Sequence, residues 1–175
     1  MTLASTKPSL PSQFPRINNP FDAQTALTDL AGNTLTASGY SQFASAQAIV
    51  DLGYGNAEYQ WALSITSLDV ASGDELYKFC LIGSNDVAFG NGNCELLGYH
   101  EYAAAASARV VATKLAEVSA TGVVVPDPGS AGSWDTFPFY NYRNGLTFRY
   151  VSLYLVISGT TPTISFKSWI SPDSE

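Results

Sequence analysis

His100 is the only histidine of the chain, so a serine-type triad or a histidine-based metal site would have to pass through it. It stands beside Glu101, between Tyr99 and Tyr102. Adjacent residues of a strand project to opposite faces, which weakens a Glu–His acid–base pair. A satisfied or solvent-facing imidazole is the preferred reading over a catalytic one. Asp69, Asp74, Glu75, Asp86 and Glu95 are scattered along the sequence. A glycosidase needs two carboxylates converging in a cleft, but Asp beside Gly and Ser is first a turn former that bonds the backbone two residues on. Asp86 lacks around it the acidic spacing of a calcium loop. Gly90-Asn-Gly-Asn93 lacks the Lys-Ser/Thr ending and following helix of a phosphate cradle and reads as a turn. No nucleophile elbow or zinc-protease helix occurs in the sequence. Cys80 and Cys94 lack a second pair of metal ligands. A disulfide across neighbouring strands is open to them; two buried thiols in a reducing cytoplasm is the preferred reading. The expectation is a non-enzyme with no catalytic residue, no metal site and no cofactor.

The elements around these residues read as strands. Glu58-Tyr-Gln-Trp-Ala-Leu-Ser-Ile-Thr66 alternates, with Tyr59, Trp61, Leu63 and Ile65 on one face. Gln47-Ala-Ile-Val-Asp-Leu52 is a short apolar run stopped by Gly53 and Gly55. Ser72-Gly73-Asp74 supplies a turn before Leu76-Tyr-Lys-Phe-Cys-Leu-Ile82, whose two mostly apolar faces predict a central strand. Residues 83–93 read as a loop, 94–99 as a returning strand, and 103–118 as a loop with a short strand or helical turn. Val123-Val-Val-Pro126 reads as a brief strand and 126–133 as a loop. Tyr142 to Gly159 and Thr163 to Ile170 close the domain as two aromatic strands joined by a short turn. There, Phe148, Tyr150, Ser152 and Tyr154 share one face, and Arg149, Val151, Leu153 and Leu155 the other. Trp61, Phe148, Tyr150, Tyr154, Phe166 and Trp169 would make a carbohydrate platform if exposed, but their alternation assigns most of them to a core. Many short strands between turn signals predict an all-β, antiparallel sandwich or jelly roll.

A chain of 175 residues suits one core-forming domain. Charged residues make up 13% of it, about half the usual share, while aromatics reach 13% with ten Tyr and nine Phe. Such a balance suits a domain held in a larger assembly, since charge is costly to bury at an interface. Net charge is −7 and the eight Lys and Arg are scattered singly, which argues against direct nucleic-acid binding. With no apolar signal core and no spanning segment, the expectation is synthesis in a cytoplasm and no membrane partner.

Residues 1–32 differ from the rest. Pro8, Pro11, Pro15 and Pro20 break regular structure, and isolated apolar residues stand between them: Leu3, Leu10, Phe14, Ile17 and Phe21. The segment reads as an extended N-terminal arm that orders against a neighbour, or as a floppy terminus. Residues 22–30 carry the pattern of a short helix. The sandwich domain is expected over 33–175.

Several short motifs resemble the jelly-roll capsid cement (decoration) proteins of tailed bacteriophages. They are Asp51-Leu-Gly53, Leu81-Ile-Gly-Ser-Asn-Asp-Val-Ala-Phe89, Pro138-Phe-Tyr-Asn141, Phe148-Arg-Tyr-Val-Ser-Leu-Tyr154 and Ser158-Gly159. Phe21-Asp-Ala-Gln24 and Thr36-Ala-Ser-Gly39 are similar to the start of those proteins. The chain departs from the pattern in its longer proline-bearing arm and in the stretch 98–133. The resemblance implies an antiparallel jelly-roll β-sandwich on the outer surface of a virion. Such a protein is a homo-oligomer, dimer or trimer, that bridges neighbouring major capsid subunits and stabilises the shell. It implies no catalytic or metal residue. The capsid contact is then expected in the arm, at Phe14, Arg16, Ile17 and Phe21. Other readings are a carbohydrate-binding or adhesin module of a phage particle, and a lytic or depolymerising enzyme acting through converging carboxylates or His100.

Overall fold

The computed structural model describes residues 26–29, 31–90, 94–104, 114–116, 123–124 and 135–172. Among them the regular elements are all strands: β1 (Asn33–Leu35), β2 (Gly39–Tyr40), β3 (Gln42–Phe43), β4 (Ala46–Gln47), β5 (Val50–Asp51), β6 (Glu58–Asp69), β7 (Leu76–Ser84), β8 (Cys94–Ala104), β9 (Lys114–Ala116), β10 (Val123–Val124), β11 (Asp135–Tyr140), β12 (Tyr142–Arg143), β13 (Leu146–Thr147), β14 (Tyr150–Ser158) and β15 (Ile164–Pro172). One sheet runs β1-β15-β6, with β11 and β10 sharing the far edge of β6. The other runs β14-β7-β8-β9, with β2 and β5 sharing the far edge of β14. The pairs are antiparallel except β8 with β9.

Alternation explains how the sheets meet. On β6, Tyr59, Trp61 and Leu63 are buried as the sequence predicts, and on β15 Ile164, Phe166 and Ile170 join them. From the other sheet come Tyr77, Phe79 and Leu81 of β7 and Val151, Leu153, Leu155 and Ile157 of β14. The two inner faces touch where Phe79 meets Phe166 edge to face, ring centroids 5.2 Å apart. Each such side chain, fully withdrawn from water, contributes roughly 1.5–3 kcal/mol. This two-layer core is therefore the main source of stability. β7 lies between β14 and β8, the central position its two apolar faces predict.

Several expectations change in detail. The strand expected from Tyr142 to Gly159 is divided, because Asn144-Gly145 folds its start into the β12–β13 hairpin and β14 begins only at Tyr150. Residues 26–29 run beside β15 instead of forming part of a helix: Ala26 bridges Trp169, and the Leu27 N–H donates to the Ser168 carbonyl at 2.9 Å. Leu27 is fully buried, and that burial favours docking over an isolated helical turn. Gly83 and Ser84 belong to β7, because their backbones pair with Val151 and Tyr150. The inner face of β14 is the one carrying Val151, Leu153 and Leu155, so Tyr150 and Tyr154 sit half-buried on the outer face; Trp61, Phe148, Phe166 and Trp169 are buried. The returning strand β8 runs on to Ala104, past the expected end at Tyr99, and β10 (Val123–Val124) falls within the brief strand expected at Val123-Val-Val-Pro126. The loop expected over 126–133 lies outside the described residues.

Candidate interaction surface

His100 pairs in register with Phe79 and shares its inner face. It is buried, with its ring 4.4 Å from that of Phe137 and 4.8 Å from that of Tyr102. The imidazole thus serves as an interior aromatic. Asp69 and Asp86 serve turns, and Asp74 ties its turn to the β14–β15 connection. Asp69 accepts from the Ala71 N–H at 3.0 Å, and Asp86 from the N–H groups of Ala88 and Gly90 at 2.9 and 3.2 Å. Asp74 accepts from the backbone and hydroxyl of Thr160 at 2.9 and 3.0 Å, which hold its carboxyl below the usual range. Cys80 and Cys94 are free thiols, the first half-buried and the second exposed, where two buried thiols were expected. Their strands pair with Ser84 opposite Cys94, so Cys80 faces Tyr99 instead. Burial pushes the Cys80 thiol up and away from the reactive thiolate.

The chain's most distinctive local architecture lies at one end of the sandwich, where three connections meet: 52–57, 85–90 and 141–149. Asn141 is its hub and is fully buried. Its Oδ1 accepts from the Ala57 N–H at 2.9 Å, and its Nδ2 donates to the carbonyls of Gly55 at 2.8 Å and Phe148 at 3.3 Å. Asn85 Nδ2 donates to the Thr147 carbonyl at 2.8 Å, and its Oδ1 accepts from the Arg149 N–H at 3.0 Å. Asn144 and Gly145, at φ 53° and 82°, turn β12 into β13, the hairpin conformation that Asn-Gly favours.

Arg149 completes the scaffold. Its guanidinium forms a two-point pair with Asp51, Nε–Oδ1 2.8 Å and Nη2–Oδ2 2.6 Å. It also donates to the Tyr54 hydroxyl and lies 4.5 Å from the Tyr54 ring centre and 4.9 Å from that of Tyr150. The Arg149 hydrogen bonds hold the Asp51 carboxyl below its usual range.

This scaffold carries exposed apolar side chains. Tyr54 is 88% exposed, Tyr140 58%, Tyr142 47%, Leu146 58% and Val87 54%. Tyr140 and Tyr142 flank the hub Asn141, and Leu146 stands opposite Arg143 in the hairpin. Arg143 pairs with Glu95 at 3.4 Å and donates to the Leu96 carbonyl, and the Tyr140 hydroxyl donates to Glu58 at 2.9 Å. Tyrosine anchors set among Gly and Asn on tethered loops are the composition of a recognition surface.

No family model, curated protein or solved structure matches the chain.

The sequence-predicted contact residues Phe14, Arg16, Ile17 and Phe21 lie outside the described residues. The motifs at 51–53, 81–89, 138–141 and 148–154, far apart in sequence, are brought together at this end. Sequence reading did not single out Tyr54, Tyr140 or Tyr142. The available signals were Gly53-Tyr-Gly55, a large ring between two glycines, and Asn144-Gly145 just beyond Tyr142. A cleft of about 370 Å³ lies beside β1 and β2, lined by Thr34, Ser38, Tyr40, Gln42 and Gln47 among others and carrying no charged side chain.

Proposed function

We propose that this chain is a capsid cement protein of a tailed phage. It is a structural, non-catalytic component of the virion exterior that joins neighbouring major capsid subunits as a homo-oligomer, dimer or trimer, and it is made in the host cytoplasm. The observation that carries the reading is the convergence of four of its family-like motifs. Asp51, Asn85, Asn141 and Arg149 each come from a different one, and together they tie three loops into one end of the molecule. These four fragments act as one unit, while Ser158-Gly159 lies at the other end of β14.

The strand pairing supports a jelly roll. With β2 and β5 taken as one arm, the main strands in chain order are β1, β2/β5, β6, β7, β8, β11, β14 and β15. Pairing runs first with last, second with seventh, third with sixth and fourth with fifth. One long antiparallel ribbon wound on itself would give this pairing, which is what favours the jelly-roll reading. A fold hosts many functions, so the weight rests on the surface.

The test is attachment of the purified protein to undecorated shells assembled from the major capsid protein of the same virus, imaged by cryo-EM. Density at symmetry-related positions on the outer surface is expected. Absence of attachment, or density only inside the shell, would sink the reading. Deleting residues 1–20 should weaken attachment while the sandwich stays folded. Undiminished binding of that truncated protein would remove the arm from the contact.

The exposed rings of Tyr54, Tyr140 and Tyr142 favour one other reading, a carbohydrate-binding or adhesin module of a phage particle. A glycan-array signal lost with those rings would establish it in place of the first.

A further inference from the structure

We infer that the chain carries a separate small-ligand site, the cleft beside β1 and β2, and that its ligand is an uncharged saccharide unit. None of the lining residues belongs to the loops around Asn141, and the inference does not rest on the capsid reading. Residues 33–40 cross from one sheet to the other, since β1 pairs with β15 and β2 with β14. The β3–β4 hairpin supplies the other wall through Gln42 and Gln47. The space of about 370 Å³ falls within the roughly 300–1,000 Å³ of small-ligand sites.

The walls are fixed from behind. Buried Asn33 clasps the backbone of Gln42: its Nδ2 donates to the Gln42 carbonyl at 2.9 Å, and its Oδ1 accepts from the Gln42 N–H at 2.6 Å. Asp29 Oδ1 accepts from the Ala44 N–H at 2.8 Å, and the Ala48 N–H donates to the Ser41 carbonyl at 2.9 Å. The hairpin turns on Ala44 and Ser45 at φ 51° and 65°, a region that residues other than glycine seldom occupy. These bonds hold it there. A wall set in place before binding loses little freedom when a ligand arrives.

The lining chemistry names the ligand class. The Thr34 hydroxyl is engaged with Ser165 Oγ at 2.7 Å, and that of Ser38 with the carbonyl and N–H of Ile157 at 3.2 and 2.9 Å. The Thr36 and Tyr40 hydroxyls and the Gln42 side-chain amide have no hydrogen bond among the described residues. Gln47 donates once, to Ser152 Oγ at 3.2 Å, which leaves its amide oxygen open. Gln42 and Gln47 stand directly opposite each other in the hairpin, so their amides share one face. Open groups of this kind both donate and accept without charge, which matches sugar hydroxyls. No Lys, Arg, Asp or Glu lines the cleft, so an anionic or cationic ligand would find no counter-charge in its walls. The Tyr40 ring, held edge to face against Tyr154 at 4.8 Å, adds an apolar surface for the C–H groups of a sugar ring.

The test screens the full-length protein on an array of neutral oligosaccharides of glucose, galactose, mannose and N-acetylglucosamine, with sialylated and glucuronylated glycans alongside. The neutral glycan that scores is then titrated in solution by saturation-transfer NMR. At least one neutral glycan should bind, and no acidic glycan should bind more tightly. The double variant Gln42→Ala, Gln47→Ala should weaken binding about tenfold, as for the loss of two hydrogen bonds. Gln42 and Thr36 are exposed, and neither side chain is bonded within the described chain, so Gln42→Ala and Thr36→Val should melt with wild type. If the double variant unfolds, these two single variants decide, and each should weaken binding about threefold. Failure of every neutral glycan to bind at millimolar concentration overturns the inference, whether or not the protein attaches to shells. So does tighter binding of an acidic glycan, or equal binding by the folded variants. Sugar binding lost with Tyr54, Tyr140 and Tyr142 but kept in Gln42→Ala would move the site to the loop end and overturn it as well.

Discussion

Arg149 and Asp51, 98 residues apart, meet in a two-point ion pair, at 2.8 and 2.6 Å, that joins the entry of β14 to the exit of β5. The pair faces solvent, and its significance is positional: the same guanidinium carries Tyr54. The hydrogen bonds from Arg149 depress the Asp51 pKa. A depressed carboxylate stabilises the fold above its unfolded value, about 4, and that contribution is lost as pH falls through the folded value. Asp51→Asn should therefore melt below wild type at neutral pH, and the gap should close as pH is lowered from about 4 to about 2. Melting curves across that range check this; a gap independent of pH would show that Asp51 is not held down by its partner.

Asn141 makes a different prediction because it is buried and satisfies backbone groups from two other segments. Asn141→Ala leaves the Ala57 N–H and the Gly55 and Phe148 carbonyls without that partner. Water can replace the lost partner at exposed Gly55 and Ala57, which leaves the buried Phe148 carbonyl unpaired, so the loss should be about 1–3 kcal/mol. Asn141→Asp keeps one acceptor oxygen but faces the carbonyls with a second, so it should not rescue. Urea denaturation reads the effect as a lower midpoint at constant slope. A midpoint within error of wild type would remove Asn141 as the hub.

How much of this was legible in the sequence depends on the kind of signal. Period-two alternation placed Tyr59, Trp61 and Leu63 on an inner face and marked β7 as central, because burial acts on side chains one by one along a strand. The same signal could not orient β14, where both faces are apolar. There the second sheet selects Val151, Leu153 and Leu155, and Tyr150 and Tyr154 are left outside. Turn chemistry at Asp69 and Asp86 was legible because it is local; the tie from Asp74 to Thr160, 86 residues away, was not. The candidate surface was not. Asn141 with Gly55, and Arg149 with Asp51, are non-local pairs that only strand pairing brings together, and a single buried Asn leaves no periodic trace.

Gly159 closes β14 at a φ of 119°, and a Cβ there would lie 2.6 Å from the Glu75 Cα. The opposing backbone cannot easily retreat, because Asp74 binds Thr160 and the Ser72 N–H donates to Glu75 at 2.9 Å. Gly159→Ala should therefore cost at least about 2 kcal/mol, strain and displacement together. Gly39→Ala, where a Cβ meets nothing within 4 Å, is the control and should stay within about 0.5 kcal/mol. Equal melts for the two variants would contradict the close approach.

Tyr77 and Tyr102 are fully or almost fully buried, at 0% and 1% exposure, and burial raises both pKa values above the usual phenol range. The Tyr77 hydroxyl donates to the Asp69 carbonyl at 2.6 Å and accepts from the Thr163 N–H at 3.1 Å; that of Tyr102 donates to Asp135 Oδ2 at 2.9 Å. A raised folded pKa means that the neutral phenol stabilises the fold below the unfolded value, about 10, and that this contribution is lost as pH rises through the folded one. These two rings should then ionise only as the protein unfolds. A spectrophotometric titration of the native protein should fall at least two phenols short of the ten that the denatured chain shows. Tyr77→Phe and Tyr102→Phe should each narrow that shortfall by one, and Tyr77→Phe should also lower the melting temperature, since the Asp69 carbonyl and Thr163 N–H lose a shared partner. Full, reversible titration of all ten below the unfolding pH would place both hydroxyls in water instead of at these bonds.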